Sequence, residues 1–248
     1  MTAVAAAVLP HPPLLVPELA GGAAAELDPL RAACREALAA VAATAELLVV
    51  VGDGPVWGVP EASAAGSFRP YGADVEVSLP AVAGLDLPGL PVPARLRDLP
   101  LSLAVAAYLL AGLDQPPARL SAVTVPASLG PGAAAAIGRT LGTAVPGGPV
   151  GLVAMGDLSA CRTERAPGAL RPEAAGFDDS VVEALRTGKQ DRLLDLDTAL
   201  AADLLVSGRV PLQVLAGAFE GSPSVHGQVL YDDAPYGVGY LVALLTAP

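Results

Sequence analysis

The sharpest chemical signal in this 248-residue chain is a single imidazole. Only two histidines occur, His11 and His226. His11 stands in Pro10-His11-Pro12-Pro13, directly after the apolar run Ala3 to Leu9. Prolines fix φ and stiffen the loop, so the ring would be held in one place. Neutral imidazole is a common metal ligand and carries protons near physiological pH. A hydrogen-bonded structural histidine would satisfy the same pattern, and position alone leaves both readings open.

Three further groups could act beside it. Asp53 ends the run Leu47-Leu48-Val49-Val50-Val51-Gly52 and is followed by Gly54-Pro55. An acid between glycines at the end of a buried strand suits a metal or a ligand, and equally a plain turn. Asp157-Leu158-Ser159 follows Val153-Ala154-Met155-Gly156 in the same way. Asp157 could orient a base or contact a substrate, and Ser159 could serve the site or cap the next segment. His226 has Ser222 and Ser224 nearby, but no Gly-x-Ser-x-Gly elbow is present. Glu220, Asp232 and Asp233 are late acids that read as a site or as solvated turns. No P-loop and no dinucleotide-binding glycine fingerprint occurs between a strand and a helix, so nucleotide binding has no support.

These groups need elements to hold them. Ala3 to Leu9, Glu46 to Val51, Leu120 to Val125 and Pro149 to Met155 read as short buried strands. Between them, helical spacing predicts helices from Asp28-Pro29 through about Val41, over Leu101 to Leu113, and from Pro131 to about Leu141. Asp28 is expected to cap the first of these. Helices are then expected over Pro172 to Thr187, from Asp197 to about Ser207, and over Pro211 to Phe219. Val225 to Tyr231 and Gly239 to Leu245 are expected to be final strands. Val56 to Leu99, rich in Gly and Pro, reads as loop with one strand near Asp74 to Leu79. Strands alternating with helices predict an α/β fold, a three-layer α/β/α arrangement with a mostly parallel central sheet, in one domain over 1–248. Ligands in such folds sit beyond the C-terminal ends of strands, where His11, Asp53 and Asp157 all fall.

Composition excludes several classes of partner. Formal net charge is −11, from 25 acidic and 14 basic residues, with Lys189 the only lysine. No basic stripe is present to neutralise phosphates, so neither nucleic acid nor an anionic membrane is an expected partner. Apolar runs such as Leu47 to Val51 fall far short of the roughly 20 residues that span a bilayer. The apolar start lacks a basic flank and reads as a strand rather than a signal peptide. Cys34 and Cys161 have no metal-type spacing. Free thiols in a cytoplasmic protein are the simpler expectation, and a homo-oligomer is an open alternative to a monomer.

Three segments, taken together and in order, resemble the LigB-like family, the catalytic-subunit family of class III extradiol ring-cleavage dioxygenases, to which Memo-type proteins are related. They are Leu9-Pro10-His11-Pro12-Pro13-Leu14-Leu15-Val16-Pro17-Glu18, Gly156-Asp157-Leu158-Ser159, and Ala234-Pro235-Tyr236-Gly237-Val238-Gly239-Tyr240. The resemblance implies an α/β/α domain with one site at the strand ends, binding Fe(II) through two histidines and one glutamate. It implies a catecholic or other small phenolic ligand and a further histidine as acid/base. His11 matches the first ligand. Asp53 stands where the second histidine belongs, and Ala160 where the acid/base histidine belongs. The glutamate position falls near His226 and Gln228. The candidate metal set is therefore His11, Asp53 and His226, with Asp157 and Ser159 as candidate catalytic residues. The expected activity is either an impaired, ligand- or partner-binding relative without iron or an active Fe(II) dioxygenase. A different metal-dependent reaction such as hydrolysis is the third expectation.

Overall fold

A computed structural model describes residues 3–80, 84–145 and 148–248. Nine strands form one sheet: β1 (Ala5–Leu9), β2 (Leu47–Asp53), β3 (Gly58–Ser67), β4 (Glu76–Ser78), β5 (Ala94–Asp98), β6 (Leu120–Val125), β7 (Val150–Met155), β8 (His226–Asp233) and β9 (Tyr240–Thr246). The helices are α1 (Pro17–Ala20), α2 (Asp28–Thr44), α3 (Leu101–Ala111), α4 (Pro131–Gly142), α5 (Glu173–Arg186), α6 (Thr198–Asp203) and α7 (Arg209–Ala218).

The sheet order is β4-β3-β6-β2-β7-β1-β9-β8, with β5 beside β3. The four central strands, β6, β2, β7 and β1, are parallel, and antiparallel neighbours flank them. Every residue of β1, β6 and β7 is buried, as the continuous apolar runs require of strands covered on both faces.

Period-2 alternation sends successive residues to opposite cores. Ala6 and Val8 of β1, Val49 and Val51 of β2, and Leu152 and Ala154 of β7 pack against α4, α5, α6 and α7. Ala5, Ala7, Leu9, Leu48, Val50 and Val153 pack against α2 and α3. This is the three-layer α/β/α arrangement.

Four local expectations change. Asp28 is the first residue of α2 rather than its cap, and its carboxylate pairs with Arg31 at 2.7 Å. Asp197 does cap its helix, accepting from the Ala199 and Leu200 N–H groups. That helix ends at Asp203, because Leu205 takes a left-handed φ of 58°. The stretch expected to be mostly loop holds the long strand β3 and the strand β5 as well as β4. Pro60 and seven Gly, Ala and Ser residues hide β3 in the sequence. It touches β6 only at Gly58, so the missing N–H of Pro60 breaks no ladder to that strand.

Helices α4 and α7 cross at glycines. A Cβ on Gly217 would lie within 2.6 Å of the Ala135 Cα, and one on Gly138 within 2.7 Å of the Ala218 nitrogen. Backbones therefore touch, and this sets where α7 begins. Gly→Ala in a helix interior ordinarily gains about 0.8–1 kcal/mol. Here overpacking against backbone outweighs that gain. Gly217→Ala should destabilise the protein by about 1–3 kcal/mol, read as a lower urea midpoint at unchanged m-value; a stabilised variant would contradict the crossing.

Candidate functional site

The chain order creates the site. After β1 the chain passes to β2, then outward to β6, and returns to insert β7 between β2 and β1. The C-terminal ends of β1, β7 and β2 thus lie side by side, a topological switch point of the kind that opens a crevice. Those ends deliver His11, Asp157 and Asp53.

Asp157 lies between the other two and ties them in. Its Oδ1 accepts the His11 backbone N–H at 2.9 Å. Its own N–H donates to Ser207 Oγ at 3.0 Å, and its carbonyl accepts from Gly208 N at 2.9 Å. Gly156 makes this approach possible, since a Cβ there would lie 2.9 Å from the Gly208 nitrogen. Some of the residue's surface stays open. Its pKa is nevertheless raised, first by desolvation and also by Asp53, against the lowering pull of His11 and its N–H.

His11 is buried, and its Nε2 stands 3.4 Å from Asp53 Oδ1. Nδ1 is buried with no hydrogen-bond partner. An ionised carboxylate only accepts, so Asp53 stands as an acceptor beside the ring. Asp53 is about one-third exposed. Its backbone carbonyl accepts from Ser102 Oγ at 2.7 Å, which anchors the end of β2 to α3.

Ser159 is fully buried and its hydroxyl is committed. Oγ donates to Asp178 Oδ2 at 2.7 Å, and its N–H donates to Oδ1 at 2.9 Å. Arg162 reaches the same carboxylate at 3.0 Å. Burial pushes Asp178 up, while these donors pull it down. Ser159 therefore pins the loop after β7. Ala160 is buried beside it and offers no titratable group.

The late residues lie elsewhere. His226 begins β8 opposite Thr246, and Thr246 pairs with Ala5 at the start of β1. It is exposed at the opposite end of the sheet from His11. Gln228 is exposed on the same edge strand. Glu220 pairs with Arg139 at 2.6 Å. Asp232 and Asp233 are at the site end of β8 but exposed, and Asp233 accepts its neighbour's N–H in a turn. Only His11, Asp53 and Asp157 of the expected set come together.

Sequence reading missed the residues behind them. Tyr240 is buried, and Asp157, Tyr236 and Tyr231 add to the desolvation that raises its pKa, so it stays a phenol. Cys34 on α2 is pushed up to about 12 by burial and by Asp157. Ser207 and Asp178 gave no spacing signal, because both act from sequence-distant segments.

The donor set does not fit the iron site that the resemblance implies. Among the described residues, no group of three or more His, Cys, Asp or Glu is placed to hold a metal ion. A facial triad needs three. His11 with Asp53 supplies two, and Asp157 is already engaged.

No family model matches the chain, and no curated protein does. Among solved structures, it is similar to an uncharacterized protein of Escherichia coli K12. The TM-score is 0.64 at 15% identity, covering 98% of this chain and 100% of that one. At that identity the likeness concerns the fold. No helix among the described residues is long and apolar enough to cross a membrane.

A carboxyl with a raised folded-state pKa holds its proton more tightly in the folded chain. Its contribution is fully present below the ordinary aspartate range and is lost as pH rises through the folded value. Asp157→Asn keeps the Oδ1 acceptor and removes the charge. The variant's stability relative to the parent should therefore grow as pH rises from the ordinary aspartate range, measured by urea unfolding. A difference that is constant with pH would contradict the burial of this charge.

Proposed function

We propose that this chain is a ligand-binding relative of the extradiol dioxygenases that holds a small phenolic molecule without opening its ring. The His11–Asp53 pair, with Nε2 and Oδ1 3.4 Å apart at the mouth of the strand-end crevice, carries this reading. An imidazole N–H beside a half-open carboxylate suits a hydroxyl group. Asp53 can accept its proton, and the imidazole can donate to its oxygen.

The chemistry of ring cleavage has weaker support. It needs a third ligand, and His226 and Gln228 lie away from His11. It also needs a proton carrier where Ala160 stands, a loss worth about 10²–10⁴-fold in rate. Hydrolysis at a His11–Asp53–His226 metal centre fails on the same separation. Cys34 and Cys161 are free and buried, which suits a reducing compartment, and we assign the protein to the cytoplasm.

Anaerobic reconstitution with Fe(II), followed by elemental analysis, tests the reading. The parent and His11→Asn should retain the same sub-stoichiometric iron, and catechol should cause no oxygen uptake. Calorimetry should detect catechol binding that His11→Asn weakens by about tenfold, the size of one charge-assisted hydrogen bond. Stoichiometric iron that the variant loses, with oxygen consumed, would overturn the proposal in favour of an active dioxygenase.

A further inference from the structure

A cavity of about 490 Å³ opens on the layer formed by α2 and α3. His11, Asp53 and Asp157 are not part of its lining. Asp28, Arg31 and Arg35 recur at i, i+3 and i+7 along α2 and supply one wall. Tyr108, Leu109 and Ala111 of α3 supply another, and Pro17 closes a side.

Arg31 is the unusual member. Its side chain is only 9% exposed. Nη2 donates to Asp28 Oδ1 and to the Ala24 carbonyl, but Nη1 is buried with no acceptor. A buried guanidinium nitrogen without a partner is costly, and such groups are normally satisfied. Arg35, one turn further on, is exposed and makes no ion pair among the described residues. Tyr108 stays protonated: burial and Glu18 raise its pKa, against Arg31 and Arg35. Its ring is held edge-on to Phe68 at 6.3 Å. A hydroxyl donor therefore joins the two guanidinium groups.

We propose that this cavity binds a small monocarboxylate with an apolar body, its carboxylate held by Arg35 and Tyr108 with the buried Arg31 charge behind them. Two guanidinium groups against the one carboxylate of Asp28 leave a single positive charge, which matches a monoanion better than a dianionic phosphate. Glu18 is exposed at the rim, where solvent screens it. Planar guanidinium forks match carboxylate oxygens. Leu109, Ala111, Pro17 and the Tyr108 ring offer the body an apolar wall.

Calorimetry on the full chain with benzoate as the probe tests this, with benzamide as the neutral isostere and inorganic phosphate as the rival anion. Benzoate should bind, and benzamide should bind at least about tenfold more weakly, because it lacks the charge that the guanidinium groups read. Arg35→Ala, at an exposed position that leaves the core intact, should weaken benzoate by about tenfold at low salt. Tyr108→Phe should weaken it severalfold while keeping the ring contact. Equal binding of benzoate and benzamide, an unaffected Arg35→Ala, tighter binding of phosphate than of benzoate, or no benzoate heat up to about 10 mM would each overturn the proposal.

Discussion

The geometry of the strand-end crevice depends on how Asp157 is held. Its carboxylate fixes the backbone of the His11 loop, while its own backbone is bonded to Ser207 and Gly208 at the start of α7. One residue thus joins the end of β7 to the end of β1 and to a helix from a distant part of the chain. The tie needs Gly156 and Gly208 to meet without side chains, and α7 to lie close to α4, which Gly138 and Gly217 permit. Small residues far from the crevice therefore set the position of the imidazole in it. The arrangement charges a cost: a carboxylate is kept where water is scarce, and its pKa rises accordingly.

A second layer of support lies behind the first. The loop after β7 bonds to the segment before β9, through Leu158 to Gly239 and Arg162 to Gly237. Asp178 then locks that loop through Ser159 and Arg162. The Asp-Leu-Ser segment is thus anchored at both ends, with Asp157 turned to the crevice and Ser159 turned to the core. Adjacent residues on an extended segment face opposite ways, and positions two apart need not share a role once the loop departs from a strand. That division explains why Ser159 serves the core while Asp157 serves the strand ends.

The central strands were legible because they are continuous apolar runs, and their ends were legible because Gly, Pro and Asp follow them. The crevice followed from the α/β pattern with no further input. Strand β3 was illegible. Pro60, Gly66 and its alanines carry no strand signal, and its pairing with β4 and β5 rests on tertiary context. The cap at Asp197 was readable, whereas Asp28 looked the same and instead turned its carboxylate to Arg31. The partners of Asp157 and Ser159 were hidden because spacing says nothing about contacts between segments 19 or 50 residues apart. His226 misled for a related reason. It begins an antiparallel edge strand, so its sequence distance from the late glycine-rich turn becomes a physical distance along the sheet.

An imidazole facing a carboxylate differs in kind from two imidazoles facing each other. Two neutral rings present lone pairs to a common point, which suits a metal cation. Replacing one ring by Asp53 sets an acceptor 3.4 Å from Nε2 of the remaining ring. The crevice then gains most from a ligand that brings both a donor and an acceptor, as a hydroxyl does. Among the described residues no third ligand lies near and Ala160 stands beside Ser159, which is why we propose holding such a group over transforming it. His11 Nδ1 is buried and has no hydrogen-bond partner among the described residues. Its orientation is fixed by the same prolines that first singled the residue out.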